Sequence, residues 1–183
     1  EAMRAQTTTS HNLANLSTTG FRAIRNVLDS APIYGTGLPS RVNTVRLPEL
    51  WNTRQGQSQP TGRDLDVAIQ GQGWLVVQDE DGNDAFTRNG NLRVTANGIL
   101  ETAAGQPVRG NGGPVTIPPY EKLLIGDDGQ ISIVPQGQTA ESLVQVDRLR
   151  LVNPPPLDLF RSGSGLFNLR DGRTAEPDTN VRI

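Results

Sequence analysis

The sequence lacks cysteine altogether, and this absence excludes several kinds of site at once. Without cysteine the chain forms no disulfide, no thiolate metal site and no thiol nucleophile. Its single histidine, His11, has no serine nucleophile in a recognisable motif around it, which argues against a catalytic triad. One histidine is also a poor zinc site unless carboxylates stand at suitable spacing. The sequence therefore predicts no catalytic residue, no metal site and no cofactor.

Aromatic residues and long apolar runs are scarce as well. Of the 183 residues, 4% are aromatic and 34% are hydrophobic, a low share for a compact globular domain. This composition favours thin elements, or segments that bury their apolar side chains against partners. No run approaches the roughly 18 apolar residues of a membrane-spanning helix, and no signal-peptide pattern is present. We therefore expect no membrane span, and export without a cleaved signal peptide if the protein leaves the cytoplasm.

Charge of one sign is not concentrated anywhere in the chain. The 17 basic and 19 acidic residues are interspersed, and the formal net charge is −2. A protein that grips a phosphate backbone needs a basic patch. The charge pattern therefore predicts no nucleic-acid partner.

Residues 1–20 are predicted to be a partial N-terminal helix. The stretch up to about Leu16 contains no glycine or proline, and Gly20 is the expected stop because a left-handed residue suits a helix end. The apolar stripe is thin, with Met3, Leu13 and Leu16 on one broad face. A helix this short and polar is marginal in water by itself. It is therefore expected to need a packing partner.

Residues 21–63 are predicted to be a long extended connector. Proline and glycine punctuate this stretch, and its apolar residues show no sustained period. A connection of about forty residues is unusually long for a compact domain, so it is either disordered or laid along a partner surface. Apolar residues such as Tyr34 and Trp51 favour the extended, partner-supported state.

Residues 64–183 have the pattern of a β body. Pairs of Asp or Asn followed by Gly are typical of tight hairpin turns, in which glycine supplies a positive φ angle. Turns are predicted on this ground at Asp81-Gly82, Asn89-Gly90, Asn97-Gly98, Asp128-Gly129 and Asp171-Gly172. The expected strands are Leu65 to Ile69, Trp74 to Val77, Ala85 to Arg88, Leu92 to Val94, Val115 to Ile117, Leu123 to Ile125, Ile131 to Val134, Leu143 to Val152, Leu166 to Leu169 and Val181 to Ile183. The predicted fold class is mainly β, an antiparallel hairpin-rich barrel or sandwich.

Three short patterns could suggest chemistry, and each has a simpler explanation. Asp64 and Asp66 would share one face of a strand, as in a metal or acid–base pair, but they also simply flank Leu65 where a strand enters the core. The segment 71–73, Gly-Gln-Gly, lacks the third glycine, the helix and the lysine of a phosphate loop. The segment 127–129, Asp-Asp-Gly, lacks the later ligands of a calcium loop and is predicted to be a turn.

The most specific signal is an ordered motif at the end of the predicted helix. Residues His11 to Arg22 resemble the rod-and-hook signature of flagellar axial proteins, in which a helix ends in Asn-Asn-Leu-Ala-Asn and Thr-x-Gly-Phe follows after two or three residues. His11 stands where that family often has asparagine or a small residue. The matching positions are Asn12, Leu13, Ala14, Asn15, Thr18, Gly20, Phe21 and Arg22.

Two blocks in the β body extend the resemblance. One is similar to the family's Asp-Val-Ala-Ile-x-Gly-x-Gly-Phe-Phe strand, with Trp74-Leu75 in place of the aromatic pair, and the other to its Tyr-Thr-Arg-x-Gly-x-Phe. The matching positions are Asp66, Val67, Ala68, Ile69, Gly71, Gly73, Trp74, Thr87, Arg88 and Gly90. Weaker matches continue to Val108.

The resemblance implies a non-enzymatic, structural subunit of the flagellar basal-body rod, the axial drive shaft that transmits torque from motor to hook. It implies other rod subunits as partners, the flagellar export apparatus as the route, and a periplasmic place in the basal body. The short interval between Phe21 and Asp64 best suits the proximal rod protein adjoining the distal rod. A hook or distal rod subunit is the alternative within the family, and a peptidoglycan-processing rod-associated enzyme is the alternative of another class.

The resemblance also implies an architecture. In this family the N- and C-terminal helices pair in the inner layer of a helical tube, and β domains form the outer layer. The chain is expected to begin partway through the first of these helices, to lack the C-terminal helix and to be monomeric in isolation. Within the first motif we expect Asn12 and Asn15 to bond to backbone groups, Gly20 to permit a reversal, and Phe21 to bury its ring.

Overall fold

A computed structural model describes residues 2–25, 28–32, 42–46, 50–139, 142–170 and 172–183. Tyr34 and Asp171, which carried two of the expectations above, lie outside the described residues. The chain divides into two compact units, Glu1–Thr53 and Arg54–Ile183.

The first unit contains one helix and short paired strands. Among its described residues the elements are α1 (Ala2–Ala14), β1 (Ile24–Arg25), β2 (Leu28–Pro32), β3 (Val42–Arg46) and β4 (Leu50–Trp51). The strand β2 pairs antiparallel with β3, and β1 with β4. These strands lie within 21–63, the stretch predicted to be an extended connector, and they give part of it pairing partners within the chain.

The second unit is built from antiparallel strands. Its described strands are β5 (Trp74–Gln78), β6 (Asp84–Thr87), β7 (Leu92–Val94), β8 (Leu100–Thr102), β9 (Tyr120–Ile125), β10 (Gln130–Pro135), β11 (Val144–Arg148), β12 (Leu151–Val152), β13 (Leu159–Arg161) and β14 (Phe167–Leu169). They form a five-stranded sheet in the order β12-β5-β6-β14-β13, a three-stranded sheet in the order β11-β10-β9, and the hairpin β7-β8. The predicted fold class, mainly β with antiparallel hairpins, is confirmed in its sandwich-like form.

The main core of the second unit lies on one face of the five-stranded sheet. Leu75 and Val77 of β5 belong to this core together with residues of β9 and β10 such as Leu123 and Ile133. Because side chains alternate along a strand, Val76 points to the opposite face, and it is also fully buried. On that opposite face the rings of Trp74 and Phe167 meet at 4.5 Å between centroids, tilted by 48°. The sheet is therefore covered on both faces.

Several predicted strands are shorter or less regular than expected. The run Leu65 to Ile69 is not a strand, since this region pairs only through single bridges from Asp66 to Asn91 and from Gln70 to Arg182. The runs Val115 to Ile117 and Val181 to Ile183 likewise pair only through single bridges. The first and last of these segments meet loop residues, whereas the Val115 carbonyl accepts the N–H of Leu100 on β8 without a continuing ladder.

The predicted strand Leu143 to Val152 is divided into β11 and β12. The first part pairs with β10, and the second pairs with β5 of the other sheet. Between them the Leu149 N–H donates to the Gly129 carbonyl, and the Arg150 N–H donates to the Arg109 carbonyl. The chain changes sheets here, and an alternating sequence pattern contains no signal for a change of partner.

One of the five predicted hairpin turns is different from the others. Gly82, Gly98, Gly129 and Gly172 all have φ between 65° and 85°. Gly90 is not in the positive-φ region, so the expectation that Asn89-Gly90 forms a turn of the same kind is wrong. A Cβ atom on Gly90 would lie 1.8 Å from the Val67 carbonyl oxygen. Glycine is needed at this position because two backbone segments touch there.

Candidate functional site

The helix α1 is followed by three tight backbone turns. The N–H of Leu16 donates to the Leu13 carbonyl at 3.3 Å, and the N–H of Thr18 donates to the Asn15 carbonyl at 3.0 Å. The N–H of Phe21 then donates to the Thr18 carbonyl at 3.1 Å. The last carbonyls of a helix have no partner within it, and here the backbone N–H of Leu16 satisfies that of Leu13.

Side chains of the motif complete the helix end. The Nδ2 of Asn15 donates to the His11 carbonyl at 2.9 Å, and the Oγ1 of Thr18 donates to the Oδ1 of Asn15 at 3.3 Å. Gly20 has a φ of 71°, so its predicted left-handed conformation is confirmed, but the helix ends at Ala14, six residues before the expected stop at Gly20. In this conformation a residue with a Cβ atom is strained.

The side-chain amide of Asn12 holds the chain that leaves the helix. Its Nδ2 donates to the Ile24 carbonyl at 3.0 Å, and the Ile24 N–H donates to its Oδ1 at 3.0 Å. The amide thus pairs with both backbone groups of one residue, as a neighbouring strand does. Only a side chain with a donor and an acceptor in one plane makes both bonds, which asparagine does at this length.

Next to this amide the strands β1 and β4 close a small ladder. Ile24 lies opposite the buried Trp51, and the Asn52 N–H donates to the Ala23 carbonyl at 2.9 Å. The guanidinium of Arg22, which is buried, donates through Nη1 to the Asn52 carbonyl at 3.2 Å. Burial lowers the pKa of the Arg22 guanidinium from its ordinary value.

Phe21 is half-buried and contacts the helix. Its ring lies 5.7 Å from the imidazole ring of His11, with an angle of 46° between the two planes. The predicted burial of Phe21 therefore occurs in part within the chain, against the only histidine. His11 takes part as an aromatic contact at the helix end.

The remaining motif residues face outward. Leu13 and Ala14 are exposed, and the apolar side chains of Leu13, Leu16 and Met3 are 70%, 80% and 84% exposed. Polar residues of the motif make the internal bonds, while Leu13 and Ala14 remain uncovered in the chain. The result is a fixed helix end that presents an apolar surface, which we call the helix-end surface (Leu13, Leu16).

In the second unit Arg88 organises the other motif blocks. Its Nη1 donates to the Gly73 carbonyl at 2.8 Å, and its Nη2 donates to the carbonyls of Ile69 and Gly71 at 2.7 and 3.0 Å. One guanidinium therefore donates hydrogen bonds to three carbonyls of the loop before β5. Because arginine offers a rigid fork of donors, it suits this arrangement better than lysine does.

The positions around this loop have separate tasks. The Val67 N–H donates to the Gly90 carbonyl at 2.9 Å, and the Asn89 N–H donates to Thr87 Oγ1 at 3.0 Å. A Cβ atom on Gly73, whose φ is 142°, would lie 2.6 Å from a methyl group of Val181. The motif residues of the second unit are thus packing and backbone-bonding positions, apart from Ala68, which is exposed.

The two early acids do not form the pair that a strand would give. Asp64 is exposed, and Oδ1 of Asp66 lies 3.7 Å from the Arg63 guanidinium. Their expected placement on one strand face is wrong because the segment is not a strand. The expectation for its apolar residues is confirmed, since Ile69 is in the core and Leu65 packs against it.

The remaining acidic pattern is a turn. Asp128 Oδ1 accepts the Gln130 N–H at 3.0 Å, and its Oδ2 pairs with the Arg148 guanidinium at 2.6 Å. In the part of the chain that the structure describes, no group of three or more His, Asp or Glu side chains is placed to hold a metal ion. No helix within those residues is long and apolar enough to cross a membrane.

Sequence reasoning missed the partners of the first motif. Ile24, Trp51 and Asn52 lie outside the motif, and two of them are about thirty residues further along the chain. The available signal was Trp51, a large aromatic residue in a stretch otherwise rich in polar residues, proline and glycine. Its burial against β1 explains why this position needs a large apolar side chain.

Comparison with known proteins places these motifs in a family. A family model described as the flagellar hook protein FlgE/F/G D1 domain matches residues 68–133. The chain is 41% identical to the flagellar basal-body rod protein FlgF of Salmonella typhimurium, over 100% of this chain and 75% of that protein. It is 38% identical to FlgF of Escherichia coli, over 92% of this chain and 67% of that protein. It is also 34% identical to the flagellar basal-body rod protein FlgG of Buchnera aphidicola, over 87% of this chain and 64% of that protein.

Proposed function

The chain belongs to the family of flagellar basal-body rod proteins, and from that premise we propose that it serves as a structural subunit of the rod. In this role it helps to form the axial shaft that transmits torque from motor to hook. The observation that carries the proposal is the bidentate bond between Asn12 and Ile24, because it fixes the chain immediately after the helix. A subunit that transmits force needs such fixed connections.

The helix-end surface is the proposed contact with neighbouring subunits. Two apolar side chains, Leu13 and Leu16, each at least 70% exposed, lie at a helix end held by side-chain and backbone bonds. Covering one such side chain is worth about 1.5–3 kcal/mol. Because the helix end is already ordered, little further conformational entropy is lost on contact. We propose Asn12, Asn15, Thr18, Gly20, Phe21 and Arg22 as the residues that shape this interface, with Leu13 and Ala14 on it.

The second unit is the proposed rigid body of the subunit. Its five-stranded sheet is covered on both faces, and Arg88 holds the loop before β5 by donating to three carbonyls of that loop. Asp66, Val67, Ile69, Gly71, Gly73, Trp74, Thr87 and Gly90 are the proposed positions that keep it rigid. Such a body resists deformation when torque is applied to the shaft, because the load is shared by many packed contacts.

The proposed partners are rod subunits of the same and neighbouring types, and the proposed place is the periplasmic part of the basal body. Delivery by the flagellar export apparatus, without a cleaved signal peptide, follows from this placement. The subtype that we propose is the proximal rod protein adjoining the distal rod, with a distal rod or hook subunit as the alternative. Identities of 41% and 38% to two FlgF proteins support a rod subunit of the FlgF type.

We assign the chain no catalytic role. A glycosidase that cleaves peptidoglycan with a carboxylate pair needs both acids to flank one bond, but Asp64 is exposed and Asp66 lies beside Arg63. We expect the full-length protein to have no cell-wall-cleaving activity, so that Asp66→Asn changes none. A muralytic activity that is present in the protein and absent from this variant would contradict the assignment.

The experiment that tests the rod function is complementation of a strain lacking the protein. The full-length protein with Leu13→Ser and Leu16→Ser is expected to be exported but to be absent from purified basal bodies, and cells are expected to be non-motile. The matched control is Leu124→Ser, which alters an exposed leucine on β9 of the second unit. Normal rods and swimming in the double variant would refute the proposed interface, and normal rods in cells without the protein would refute the rod function itself.

A further inference from the structure

Three Asn-Gly pairs occur in the sequence: Asn89-Gly90, Asn97-Gly98 and Asn111-Gly112. In this dipeptide the backbone nitrogen of glycine can attack the side-chain carbonyl carbon of asparagine and close a five-membered ring. Glycine has no side chain to hinder the attack. The reaction also requires that the asparagine side chain and the glycine nitrogen are free to turn toward each other. The three pairs differ in this freedom.

The pair Asn89-Gly90 is held in place by its neighbours. Gly90 is buried, and a Cβ atom on it would lie 1.8 Å from the Val67 carbonyl oxygen. The Gly90 carbonyl accepts the Val67 N–H at 2.9 Å, and Asn89 Oδ1 accepts the Asn91 N–H at 3.1 Å. Neighbouring backbone therefore restrains both the glycine and the asparagine side chain.

The pair Asn97-Gly98 is held at its glycine. The Gly98 N–H donates to the Thr95 carbonyl at 2.9 Å, so the nitrogen must give up this bond before it can attack. The Gly98 carbonyl accepts the Ile117 N–H at 2.7 Å, and a Cβ atom on Gly98 would lie 2.5 Å from the Ile117 carbonyl oxygen. The Asn97 side chain is exposed, but the glycine that follows it is fixed.

The pair Asn111-Gly112 has neither restraint. Both residues are exposed, and a Cβ atom on Gly112 would meet nothing within 4 Å. Within the described residues, the Gly112 N–H and the Asn111 side chain make no hydrogen bond. The pair lies in a short loop that the Gly110 N–H closes by donating to the Gly113 carbonyl at 2.7 Å. Because three of these four residues are glycine, which adopts the widest range of backbone angles, the loop can bring the Gly112 nitrogen to the Asn111 side chain.

We propose that Asn111 is a site of spontaneous deamidation and that the fold favours it over Asn89 and Asn97. The Gly112 nitrogen forms a bond to Cγ of Asn111, the Cγ–Nδ2 bond breaks, and ammonia leaves with the proton lost by the Gly112 nitrogen. Water then adds to either carbonyl of the succinimide ring and opens it. The product at position 111 is aspartate or isoaspartate, and no oxidation or reduction takes place.

The conversion alters the surroundings of Asp147. The N–H of Asn111 donates to Asp147 Oδ1 at 3.3 Å, and the N–H of Arg148 donates to the same oxygen at 2.7 Å. The Asp147 side chain thereby joins the loop to β11. Aspartate at position 111 brings a second carboxylate near the first, and isoaspartate adds one carbon to the loop backbone. Either product therefore weakens the bond between the loop and β11.

The test follows the three sites in one protein. The folded full-length protein is incubated at mildly alkaline pH, and peptide mapping by mass spectrometry measures the conversion of amide to acid at each site. Asn111 is expected to convert several-fold faster than Asn89 and Asn97. Equal rates at the three sites, or a faster conversion at Asn89 or Asn97, would overturn the proposal.

A matched variant tests the chemistry at this site. Gly112→Ala places a side chain beside the attacking nitrogen, and the open space around Gly112 accommodates it. Conversion at Asn111 is expected to slow several-fold in this variant, while the rates at Asn89 and Asn97 stay unchanged. An unchanged rate at Asn111 would show that ring closure by the Gly112 nitrogen is not the route.

The same measurement in denaturant separates the fold from the local sequence. When the chain is unfolded, all three asparagines precede an unconstrained glycine, so their rates are expected to become similar. A preference for Asn111 that persists unchanged in denaturant would overturn the proposal, because the fold would then not be its cause.

Discussion

Asn12 pairs with Ile24 as a strand pairs with its neighbour: the amide nitrogen donates to the Ile24 carbonyl, the amide oxygen accepts the Ile24 N–H, and both distances are 3.0 Å. The two residues are twelve positions apart and belong to a helix and a strand. The bond therefore makes the direction of β1 depend on one side chain. This dependence gives a reason for asparagine at that position.

Replacement of Asn12 by aspartate is expected to open this end of the helix. The carboxylate keeps the bond from the Ile24 N–H but loses the donor, and it faces the Ile24 carbonyl with like charge. A half-buried group left without its partner costs about 1–3 kcal/mol. Hydrogen exchange at the Ile24 amide, measured with residue resolution, is expected to accelerate roughly 5- to 150-fold by the same range of free energy.

The control for this variant is Ser10→Ala, which alters an exposed residue of the same helix. It is expected to leave exchange at Ile24 unchanged. Equal exchange in the aspartate variant and the control would show that the amide bonds do not hold β1.

Replacement of Gly20 tests the reversal after the helix. Its φ of 71° is strained for an L residue with a Cβ atom, by about 1–2 kcal/mol. Gly20→Ala is expected to lower the stability of the helix end by this amount, whereas Gly20→Asn is expected to cost less, because asparagine tolerates the left-handed region. Exchange of the Phe21 amide, which donates to the Thr18 carbonyl, reports both changes. Equal protection in all three proteins would be evidence that Gly20 is not needed for its conformation.

The sequence contained enough to predict the kind of fold and the location of both motifs. Glycine after Asp or Asn marked most of the turns, because a positive φ is a local property of one residue. The strand β5 was predicted almost to the residue, since a run from Trp74 to Val77 between glycine and polar residues has one plausible conformation. These features depend on neighbours in the sequence.

What could not be predicted depends on contacts between distant residues. Leu65 to Ile69 alternates as a strand does, yet its neighbours in space are loops, so it forms only single bridges. Gly90 has the same local sequence signal as Gly98. Position 90 needs glycine for a different reason, because the Val67 backbone lies against it. The partner of Asn12 could not be read from the motif either, because Ile24 lies outside it and carries no polar side chain to signal the bond.

The ion pairs of Asp84 give a prediction for the second unit. Its Oδ1 lies 3.0 Å from Arg109 Nε, and its Oδ2 lies 3.2 Å from Arg150 Nη1. The Asp84 side chain is 14% exposed and both arginine side chains are 21% exposed. Asp84→Asn therefore leaves two largely buried guanidinium groups without their negatively charged partner. We expect a loss of about 2 kcal/mol, less than the roughly 3–5 kcal/mol of a fully buried pair. Urea unfolding checks this value.

The matched control for Asp84 is Glu101→Gln. Glu101 pairs with Arg93, whose side chain is 56% exposed, and such pairs contribute about 0–1 kcal/mol. A destabilisation as large as that of Asp84→Asn would indicate that burial does not distinguish the two pairs.

Arginine at position 88 is expected to be irreplaceable by lysine. Three carbonyls lie 2.7–3.0 Å from two separate nitrogens of its guanidinium, and an ammonium group is a single point that does not span them. Each lost bond to a charged donor costs about 1.5–3 kcal/mol, so Arg88→Lys is expected to destabilise the second unit by at least about 2 kcal/mol. Arg93→Lys, at an exposed position on β7, is the control and is expected to cost little. A midpoint of chemical unfolding for Arg88→Lys that equals the control would contradict the role given to the guanidinium.

Gly90 offers the sharpest comparison, because the fold contains glycines of different kinds. A Cβ atom at Gly90 would lie 1.8 Å from the Val67 carbonyl oxygen, which is backbone and cannot rotate away, whereas a Cβ atom at Gly112 meets nothing within 4 Å. Gly90→Ala is therefore expected to force the two backbone segments apart and to break the bond from the Val67 N–H to the Gly90 carbonyl. The expected loss of stability is several kcal/mol, more than the roughly 1–3 kcal/mol of ordinary overpacking. Gly112→Ala is expected to be neutral or slightly stabilising, since alanine reduces the entropy of the unfolded chain by up to about 1 kcal/mol. Thermal unfolding of both variants is the measurement. If both variants have the same unfolding temperature as the unaltered protein, close contact with Val67 is not the reason for glycine at position 90.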